Sequence, residues 1–224
     1  MKKDLDLLTK DIIERLKARG ADLAWCSAAV KETREFNVDG GEFSLLRTLF
    51  DNSLTVTAVK DGKKGSVGLN SFEDEAVSRA IDDCLAAAEA SHADDGWGLC
   101  PDANRESFTE GEPVPDLDRL FDRSRELLET IKREYPLIVM EQMIIDHGYV
   151  HKVYRNSNGA HLVKDSGLYG VELMFSAHEG EVASSFFSSG VETDNLDKPF
   201  ISLGSIRRDL ADVHEDLVFD AARG

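Results

Sequence analysis

Histidines offer the first candidates for chemistry in this sequence. His147 and His151 are four residues apart, the spacing of two zinc ligands on one face of a helix. They flank Gly148 in a stretch that we expect to form a hairpin, where a four-residue offset does not aim both rings at one ion. His161 and His178 stand alone on expected strands. We therefore predict no metal site among these histidines.

The dipeptide His178-Glu179 begins like the HExxH signature of zinc peptidases. In that signature a second histidine completes the metal site, and the glutamate activates the metal-bound water. Val182 and Ala183 occupy the two positions where a second histidine would follow in HExxH or HExxxH spacing. Glu179-Gly180 is also typical of a turn and not of a helix interior. We interpret the dipeptide as a strand end and turn, and we expect no zinc in this chain.

Nucleophile motifs and phosphate-binding loops are also missing from the sequence. There is no GxSxG elbow, and Ser184–Ser189 has the composition of a strand. Glycines at 62, 65 and 68 recur every three residues inside an expected hairpin, unlike the loops that bind phosphate before a helix. We predict no catalytic residue in this chain. The cysteines, which lack a CxxC pair and favour reduced thiols over a disulfide or zinc framework, are Cys26, Cys84 and Cys100.

The composition is that of a foldable and strongly acidic chain. Its 224 residues include 43 acidic and 26 basic side chains, so the formal net charge is −17. That charge repels a phosphate backbone, and we expect no direct binding to nucleic acid. The longest apolar run, Cys84–Ala88, is far shorter than the roughly 18–20 residues of a membrane helix. Because Met1-Lys2-Lys3 leads into acidic residues and not into an apolar segment, we expect a cytoplasmic protein that does not bind membranes.

The first part of the chain is predicted to form a helix and a strand meander. Apolar residues at helical spacing predict a helix over 4–19, ended by Gly20. Residues 23–69 are rich in Val, Thr, Phe and Leu, and three turn signals divide them into about four strands. The turn signals are Gly40-Gly41, Asp51-Asn52 and Asp61-Gly62.

Two more helices are predicted around an acidic connection. Ser71, with Asp74 three residues later, predicts the N-cap of a helix that runs to about residue 90. Residues 91–115 contain three prolines and many acids, and we expect a connection without secondary structure there. A third helix is predicted over 117–135, where apolar residues again recur at helical spacing.

Strand signals return over 137–189, followed by a last helix. Four turns predict five strands of about six to ten residues. The final helix is predicted from Ile206 to the last residues, and it leaves almost nothing beyond itself. We therefore expect the sequence to be the front part of a longer protein. The four turns are Asp146-His147-Gly148, Asn156-Ser157-Asn158-Gly159, Ser166-Gly167 and Glu179-Gly180.

The order of elements predicts an α+β fold with an antiparallel-rich sheet and helices packed on it, in two α/β layers. Residues 1–90 contain the first helix, the meander and the second helix. Residues 91–115 are the acidic, proline-containing connection. Residues 116–224 contain the third helix, the second set of strands and the terminal helix. We expect these three parts to form one composite domain.

Four segments occur in the order that a known family shows. Gly20-Ala21-Asp22 follows the first helix, Glu35–Gly41 comes next, and Thr55–Gly68 precedes the second helix. Further on, Arg155–Gly159 contains the pattern Asn-Ser-x-Gly at a strand turn. Together these segments resemble the TldD/PmbA family over nearly the whole chain. Members of that family are typically about twice this long, so the resemblance implies the N-terminal half only.

The resemblance carries expectations about function. The family is described both as modulators of DNA gyrase and as metallopeptidase-related proteins that process small peptides. It implies an N-terminal domain that contributes to proteolysis and peptide maturation by shaping a substrate cleft and a subunit interface. In the peptidase-type subunit a HExxxH helix in the second half holds the metal, and that motif has no counterpart here. Zinc is therefore expected only where such a second half exists.

The implied partners are a peptide or protein and a further subunit of the family, in a homo- or hetero-oligomer. Asn156, Ser157 and Gly159 are the candidate peptide-lining residues. Their turn also has a sufficient structural explanation, because Asn and Gly tolerate positive φ. The alternative function is a non-enzymatic protein-interaction module acting on a protein partner, and the sequence leaves both open.

Overall fold

The chain alternates helices with strands, several of which are unusually long. A computed structural model describes residues 4–221, with side chains described for residues 4–215. Within that range the chain forms four α-helices, eight strands and one short 3-10 turn. No helix in the described range is long and apolar enough to cross a membrane. The elements in chain order are α1 (Leu5–Ala18), β1 (Leu23–Asp39), β2 (Glu42–Lys60), β3 (Lys63–Leu69), α2 (Asp74–Ala90), β4 (Arg105–Gly111), α3 (Leu117–Glu134), β5 (Ile138–Asn156), β6 (His161–Glu179), β7 (Val182–Ala183), β8 (Phe187–Thr193), the 3-10 turn (Phe200–Ser202) and α4 (Ile206–Ala221).

The strands form a sheet in which hairpin neighbours pair, and β1 and β5 join the two sets of hairpins. The order along the sheet is β3-β2-β1-β5-β6-β4, and β7 and β8 also pair with β6. β2 pairs antiparallel with β3, and β6 pairs antiparallel with β8. The short turns that join β1 to β2 and β5 to β6 likewise require antiparallel neighbours. The predicted α+β class with an antiparallel-rich sheet is confirmed.

The described chain divides into two compact units, each made of discontinuous segments. Unit 1 contains the residues up to Glu32 together with Phe50–Thr109 and Val150–Asp165. Unit 2 contains Thr33–Leu49, Glu110–Tyr149 and the residues from Ser166 onward. β1, β2, β5 and β6 contribute residues to both units. The ranges 1–90, 91–115 and 116–224 describe the order of elements along the chain, whereas the compact units are not continuous in sequence.

In unit 1, α1 and α2 pack on the first three strands. Asp4 caps α1, because its side chain accepts hydrogen bonds of 2.9 and 3.1 Å from the N–H groups of Asp6 and Leu7. Ile12 of α1 and Ile81 of α2 are fully buried in one apolar cluster with alternate residues of β1. Full burial of a side chain of this size contributes about 1.5–3 kcal/mol. The predicted packing of the first two helices on the meander is confirmed.

In unit 2, α3 and α4 bury the second apolar cluster. Leu120 and Leu127 of α3 and Ile206 of α4 are buried together with Phe175 of β6. These positions recur at helical spacing, and the predicted third and last helices are confirmed. Residues 222–224, on which the expectation of a longer protein partly depends, lie outside the described residues.

The strands are longer and fewer than the sequence predicts. Asp51-Asn52 lies inside β2, so the meander has three strands and not four. Asp146-His147-Gly148 and Ser166-Gly167 lie inside β5 and β6, which are 19 residues long each. Residues 137–189 therefore contain two long strands and two short ones, and not five of medium length. Turn-prone residues do not break these strands, because pairing satisfies the backbone N–H and C=O groups and holds the chain extended.

Two further expectations were wrong. The N-cap of α2 is Glu73 and not Ser71, whose Oγ instead accepts a hydrogen bond of 3.2 Å from the Glu73 N–H. Residues 105–111 form β4 inside the stretch that was expected to lack secondary structure. The sequence of β4 lacks the apolar alternation that predicts a half-buried strand, because every residue of β4 is exposed and none is needed in the core.

The remaining turn signals are confirmed. Asp61 and Gly62 both have positive φ, 52° and 72°, as the tightest hairpin turn requires. The turn at the end of β6 begins at Gly180. The other two confirmed turns are Gly40-Gly41 and Asn156-Ser157-Asn158-Gly159.

Candidate functional site

The first candidate surface is the beginning of β2 in unit 2, residues Glu42–Leu49, called the edge segment below. β3 pairs with β2 only along Leu54–Lys60, so the edge segment has a described neighbouring strand on one side alone. Every residue of the edge segment is exposed. A strand with one free side presents N–H and C=O groups that accept a further strand.

The edge segment is apolar on both of its faces. Phe43, Leu45 and Leu49 share one face by strand alternation, and Leu46 lies on the other. Leu45 is 47% exposed and Leu46 64% exposed. Large apolar side chains grouped on an exposed strand indicate a surface that binds a partner, whereas single exposed apolar residues are ordinary.

Polar contacts with β1 hold the edge segment in its strand conformation. The Arg47 guanidinium lies 2.8 Å from Oε1 of Glu35. The same Glu35 oxygen accepts a hydrogen bond of 2.5 Å from Nδ2 of Asn37. Ser44 Oγ donates a hydrogen bond of 3.3 Å to the carbonyl oxygen of Asn37. Because these contacts order the segment in advance, a partner strand that pairs with it meets a lower entropic cost.

The second candidate surface is a groove of about 540 Å³ in unit 1. Ala24 and Cys26 of β1 point into the core. Because side chains alternate along a strand, Trp25 and Ser27 point to the opposite face of the sheet. Side chains of β2, β5 and β6 reach the same face by the same alternation, and Phe108 of β4 adds a wall. The residues that line the groove include Trp25, Phe108, Lys152, Tyr154, Leu162 and Lys164.

The groove differs in charge from the protein as a whole. The chain carries a net charge of −17, yet the nine described residues that line the groove include two lysines and no acidic residue. Three aromatic side chains accompany the lysines. An open groove with apolar walls and a few charged groups is suited to binding a ligand of opposite charge that also has an apolar part.

The three predicted peptide-lining residues lie together in the turn between β5 and β6. Oδ1 of Asn156 accepts hydrogen bonds of 3.0 Å from two backbone N–H groups of the same turn. Ser157 exchanges hydrogen bonds with the backbone of Ala24, at 2.7 Å from its N–H and 3.1 Å to its Oγ. Gly159 has a φ of 98°, which favours glycine. All three residues thus stabilise the turn itself, and their contact with a peptide stays a prediction.

The predicted histidines have partners within the protein. His147 is buried, with Nε2 2.7 Å from the carbonyl oxygen of Glu112. His151 Nδ1 lies 3.0 Å from a carboxylate oxygen of Asp165 on the neighbouring strand. His161 lies against a carboxylate in the first turn of α1. Each ring therefore contributes to local structure through the hydrogen bonds and ion pairs that it makes.

The structure places His178-Glu179 at the end of β6, followed by a turn, as the sequence predicts. Sequence reasoning missed a cluster around Ser176. Its Oγ donates a hydrogen bond of 2.9 Å to Oε1 of Glu141 and lies 2.9 Å from Nε2 of His178. The Ser176 hydroxyl thus lies between a carboxylate of β5 and an imidazole of β6, within hydrogen-bond distance of both.

The resemblance implies zinc only where a HExxxH-containing second half exists, and no metal site was predicted on these residues. Among the side chains of residues 4–215, no group of three or more His, Cys, Asp or Glu residues is arranged to hold a metal ion. A zinc site needs three or four such ligands at one point.

The cysteines are free thiols in contrasting surroundings. Burial raises the pKa of Cys26 to about 12 and the pKa of Cys84 to about 11. Cys100 is exposed. A thiol reacts as the thiolate, so Cys26 and Cys84 are chemically protected core residues, as the sequence predicted for Cys84.

Comparisons with known proteins define the class of this fold. Residues 29–90 match the family model of PmbA/TldA metallopeptidase domain 1. Among solved structures, TldE from Thermococcus kodakarensis is 17% identical with a TM-score of 0.65, over 94% of this chain and 46% of that one. A protein from Bacteroides thetaiotaomicron, described as a candidate modulator of DNA gyrase, is 15% identical with a TM-score of 0.69, over 97% of this chain and 50% of that one. A Thermotoga maritima protein with the same description is 12% identical with a TM-score of 0.59, over 96% of this chain and 48% of that one. Comparison with curated proteins gave no match.

The chain thus has the α+β fold of TldD/PmbA-type proteins, and it spans about half the length of the solved structures that it matches. The matched domain is the first of the family's domains. The resemblance to the TldD/PmbA family that the sequence shows is confirmed: the family model matches residues 29–90, and the fold agrees with about half the length of each solved structure.

Proposed function

We propose that this chain serves in the cytoplasm as the N-terminal domain of a TldD/PmbA-type protein and contributes to peptide processing without a catalytic centre of its own. Its contribution is to form part of a substrate cleft and of a subunit interface. The observation that carries the proposal is the edge segment, Glu42–Leu49, which is exposed on both faces and has a free strand side.

The edge segment has the physical properties of an interface. A partner strand would satisfy its unpaired backbone groups and cover four large apolar side chains. Full burial of such a side chain from water contributes about 1.5–3 kcal/mol. Because these four are 38–64% exposed, covering them contributes about half of that each. The hydrogen bonds of a partner strand add to this gain against an association cost of roughly 4–15 kcal/mol. The partner that we propose is a further subunit of the family, in a homo- or hetero-oligomer.

Catalysis is assigned to a partner region, because metal-assisted hydrolysis needs ligands that fix the ion and a carboxylate that takes a proton from its water. His178-Glu179 lies at a strand end, where it does not assemble such a site. Zinc is expected only with a region that contains HExxxH.

A second candidate function rests on the same surface. Two of the similar structures are described as candidate modulators of DNA gyrase. A non-enzymatic module that binds a protein partner through the edge segment would also use its exposed apolar residues. Direct contact with nucleic acid is not part of either proposal, since the net charge of −17 repels it.

Association is tested with a matched pair of variants. Leu46 of the edge segment and Leu7 of α1 are 64% and 66% exposed, so Leu46→Lys and Leu7→Lys make the same change at equal exposure. Sedimentation over a range of concentrations should show self-association that Leu46→Lys weakens at least tenfold and Leu7→Lys leaves unchanged. A chain that stays monomeric throughout contradicts the homo-oligomer, and equal effects of both variants contradict the interface.

Peptide processing is tested separately. The purified chain, incubated with unstructured peptides with and without zinc, should cleave nothing and hold no stoichiometric zinc by elemental analysis. Addition of the chain to a TldD/PmbA-type subunit that contains HExxxH should raise cleavage, and Leu46→Lys should remove that gain. If the chain binds but leaves cleavage unchanged, the interaction module is favoured. Cleavage by the chain alone that His178→Ala abolishes would overturn the proposal.

A further inference from the structure

The sheet of unit 2 has one face that packs on helices and one that does not. Leu173 of β6 is buried in the apolar cluster of α3 and α4, and buried Ser189 of β8 donates a hydrogen bond of 2.7 Å to Asp209 of α4. Because side chains alternate along a strand, Glu172 and Gly190 lie on the opposite face, called the outer face below. Two cavities of about 320 and 330 Å³ open on it and share these two residues in their lining.

Four residues of the outer face form a square with two carboxylates on one diagonal. The antiparallel register pairs Glu172 with Gly190 and Gly170 with Glu192. The two glutamates are therefore diagonal neighbours on adjacent strands, about 7–8 Å apart. The other two corners are glycines, which place no side chain between the carboxylates. The square thus has an open centre with a carboxylate on either side.

The two carboxylates have no basic partner in the described part of the chain. Glu172 and Glu192 are exposed, and neither side chain makes an ion pair or hydrogen bond with another described residue. Asp146 of β5 lies beside the square, with Oδ1 3.2 Å from the position of a Cβ on Gly170, and it already interacts within the chain. A cation that enters the square therefore meets two carboxylates that are free to bind it.

Arginine fits this arrangement better than other cations do. Its planar guanidinium carries five N–H donors in fixed directions, so one group can bridge two carboxylates, whereas the ammonium of lysine is a compact point charge. Calcium needs six to eight oxygen ligands. Among the side chains of residues 4–215, no group of three or more acidic, His or Cys residues is arranged to hold a metal ion. The square therefore favours a guanidinium.

An apolar group has a place beside the arginine. Met174 is two residues from Glu172 on β6, so both side chains point to the outer face. Met174 is 45% exposed and lines the same cavity as Ile144 and Glu172. Side chains two residues apart on an extended ligand are about 6.6 Å apart, which is also the spacing along β6. An arginine over the square thus places an apolar side chain two positions away on Met174.

We propose that the outer face of unit 2 binds an extended peptide segment in which an arginine bridges Glu172 and Glu192 and an apolar side chain two positions away packs on Met174. The net charge of −17 favours the approach of a basic ligand. This inference rests on the proposed function, because it gives a ligand class to the substrate cleft. The ligand contacts the face of the sheet through side chains, unlike a strand that pairs with the edge segment.

Binding is measured by calorimetry with capped peptides. An acetylated, amidated peptide of sequence Ser-Arg-Ser-Leu-Ser should bind saturably. The matched peptide with citrulline in place of arginine keeps the shape and loses the charge, and it should bind at least tenfold more weakly. The lysine peptide should bind more weakly than the arginine peptide, because an ammonium does not bridge the carboxylates in the same way.

Substitutions in the square separate binding from folding. Glu172→Gln and Glu192→Gln should each weaken the arginine peptide at least fivefold without lowering the melting temperature. The control is Glu181→Gln, because Glu181 is an exposed glutamate of the same unit outside the square, and it should alter affinity less than twofold. Gly170→Ala should also weaken binding, because its methyl group partly fills the centre, while the nearest atoms to it are those of the Asp146 side chain and not of the backbone.

Several outcomes overturn the inference. These are equal affinity for the citrulline or the lysine peptide, an unchanged affinity in Glu172→Gln and Glu192→Gln, and calcium binding at the square that is tighter than peptide binding. The Leu46→Lys variant should bind the peptide like the parent protein. If association through the edge segment holds and the outer face binds no peptide, this inference alone fails. If the outer face binds the peptide and association is absent, the interface in the proposed function fails instead.

Discussion

Tyr169 donates a hydrogen bond of 2.6 Å from its hydroxyl to Oε2 of Glu112. The same hydroxyl accepts a hydrogen bond of 3.0 Å from the N–H of Asp116. The tyrosine is fully buried in β6, and its two partners lie in the segment between β4 and α3, so the phenol fixes that segment to the strand. Burial, followed by the bond to Glu112, raises the pKa of Tyr169 to about 12.

This pKa predicts an alkaline loss of stability. A tyrosine in the unfolded chain has a pKa of about 10, so the contribution of neutral Tyr169 is complete below pH ~10 and is lost as the pH rises toward 12. Urea unfolding across this range should show a steeper loss for the parent protein than for Tyr169→Phe. At neutral pH that variant should be less stable by about 0.5–1.5 kcal/mol, because half-buried Glu112 and the N–H of Asp116 lose their hydrogen bond to the hydroxyl. Identical pH slopes for the two proteins would contradict the assignment.

Gly65 of β3 is predicted to be irreplaceable because α2 crosses it closely. A methyl group there would overlap the carbonyl oxygen of Cys84 and crowd the N–H of Ala88, both of which are helix backbone. Gly65→Ala should lower the free energy of unfolding by about 1–3 kcal/mol or more. Gly68 lies on the same strand, is exposed and has open space around its Cα, so Gly68→Ala should stay within about 0.5 kcal/mol. Equal denaturation midpoints for the two variants would show that the helix moves freely.

Asn156 is predicted to stabilise the β5–β6 turn. Its buried Oδ1 accepts two backbone hydrogen bonds, so Asn156→Ala leaves two N–H donors without that partner. The expected loss is about 1–3 kcal/mol in chemical unfolding. Asn158 in the same turn is exposed, and its side chain donates only to the Cys100 carbonyl at 3.2 Å. Asn158→Ala is the control and should cost less than about 0.5 kcal/mol; the reverse order would sink this prediction.

Thiol titration should distinguish the three cysteines. Cys100 is exposed, whereas burial raises the pKa of Cys26 to about 12 and that of Cys84 to about 11. With an aromatic disulfide reagent at mildly alkaline pH, the native protein should react at one thiol and the denatured protein at all three. Cys100→Ser should remove the fast reaction. A second fast thiol in the native state would show that unit 1 opens readily around its core cysteines.

The order of helices and strands could be predicted from the sequence, whereas the lengths of the strands could not. Helices were recognisable because apolar residues recur at helical spacing in α1, α2, α3 and α4. The hairpin at Asp61-Gly62 was recognisable because its turn needs positive φ, which few residue types adopt. Ser166-Gly167 failed as a turn because those residues are equally compatible with a paired strand. The choice depends on neighbours that are distant in sequence, and β1 pairs with β5 across more than a hundred residues.

Part of the groove lining could have been predicted from the sequence, by combining strand alternation with the position of the turn. Lys152 and Tyr154 are two residues apart on the strand before the Asn-Ser-Asn-Gly turn, so they share one face of that strand. Leu162 and Lys164 are likewise two residues apart on the strand after it. The turn length alone sets the facing pairs. Which face of the sheet they occupy depends on where the helices pack, and that is a property of the folded chain. The edge segment was hidden for a related reason, since nothing local shows that β3 ends at Leu69, opposite Leu54 of β2.

The edge segment also bears on how the protein is handled in the cell. An uncovered apolar strand is a template for its own copies, and stacked copies are the beginning of an insoluble aggregate. Glu42 and Arg47 flank the uncharged residues Phe43–Leu46. In-register stacking of copies of this strand would bring like charges together, so the two charged residues disfavour aggregation. The surface that we propose as an interface thus carries charges that disfavour the stacking of its own copies.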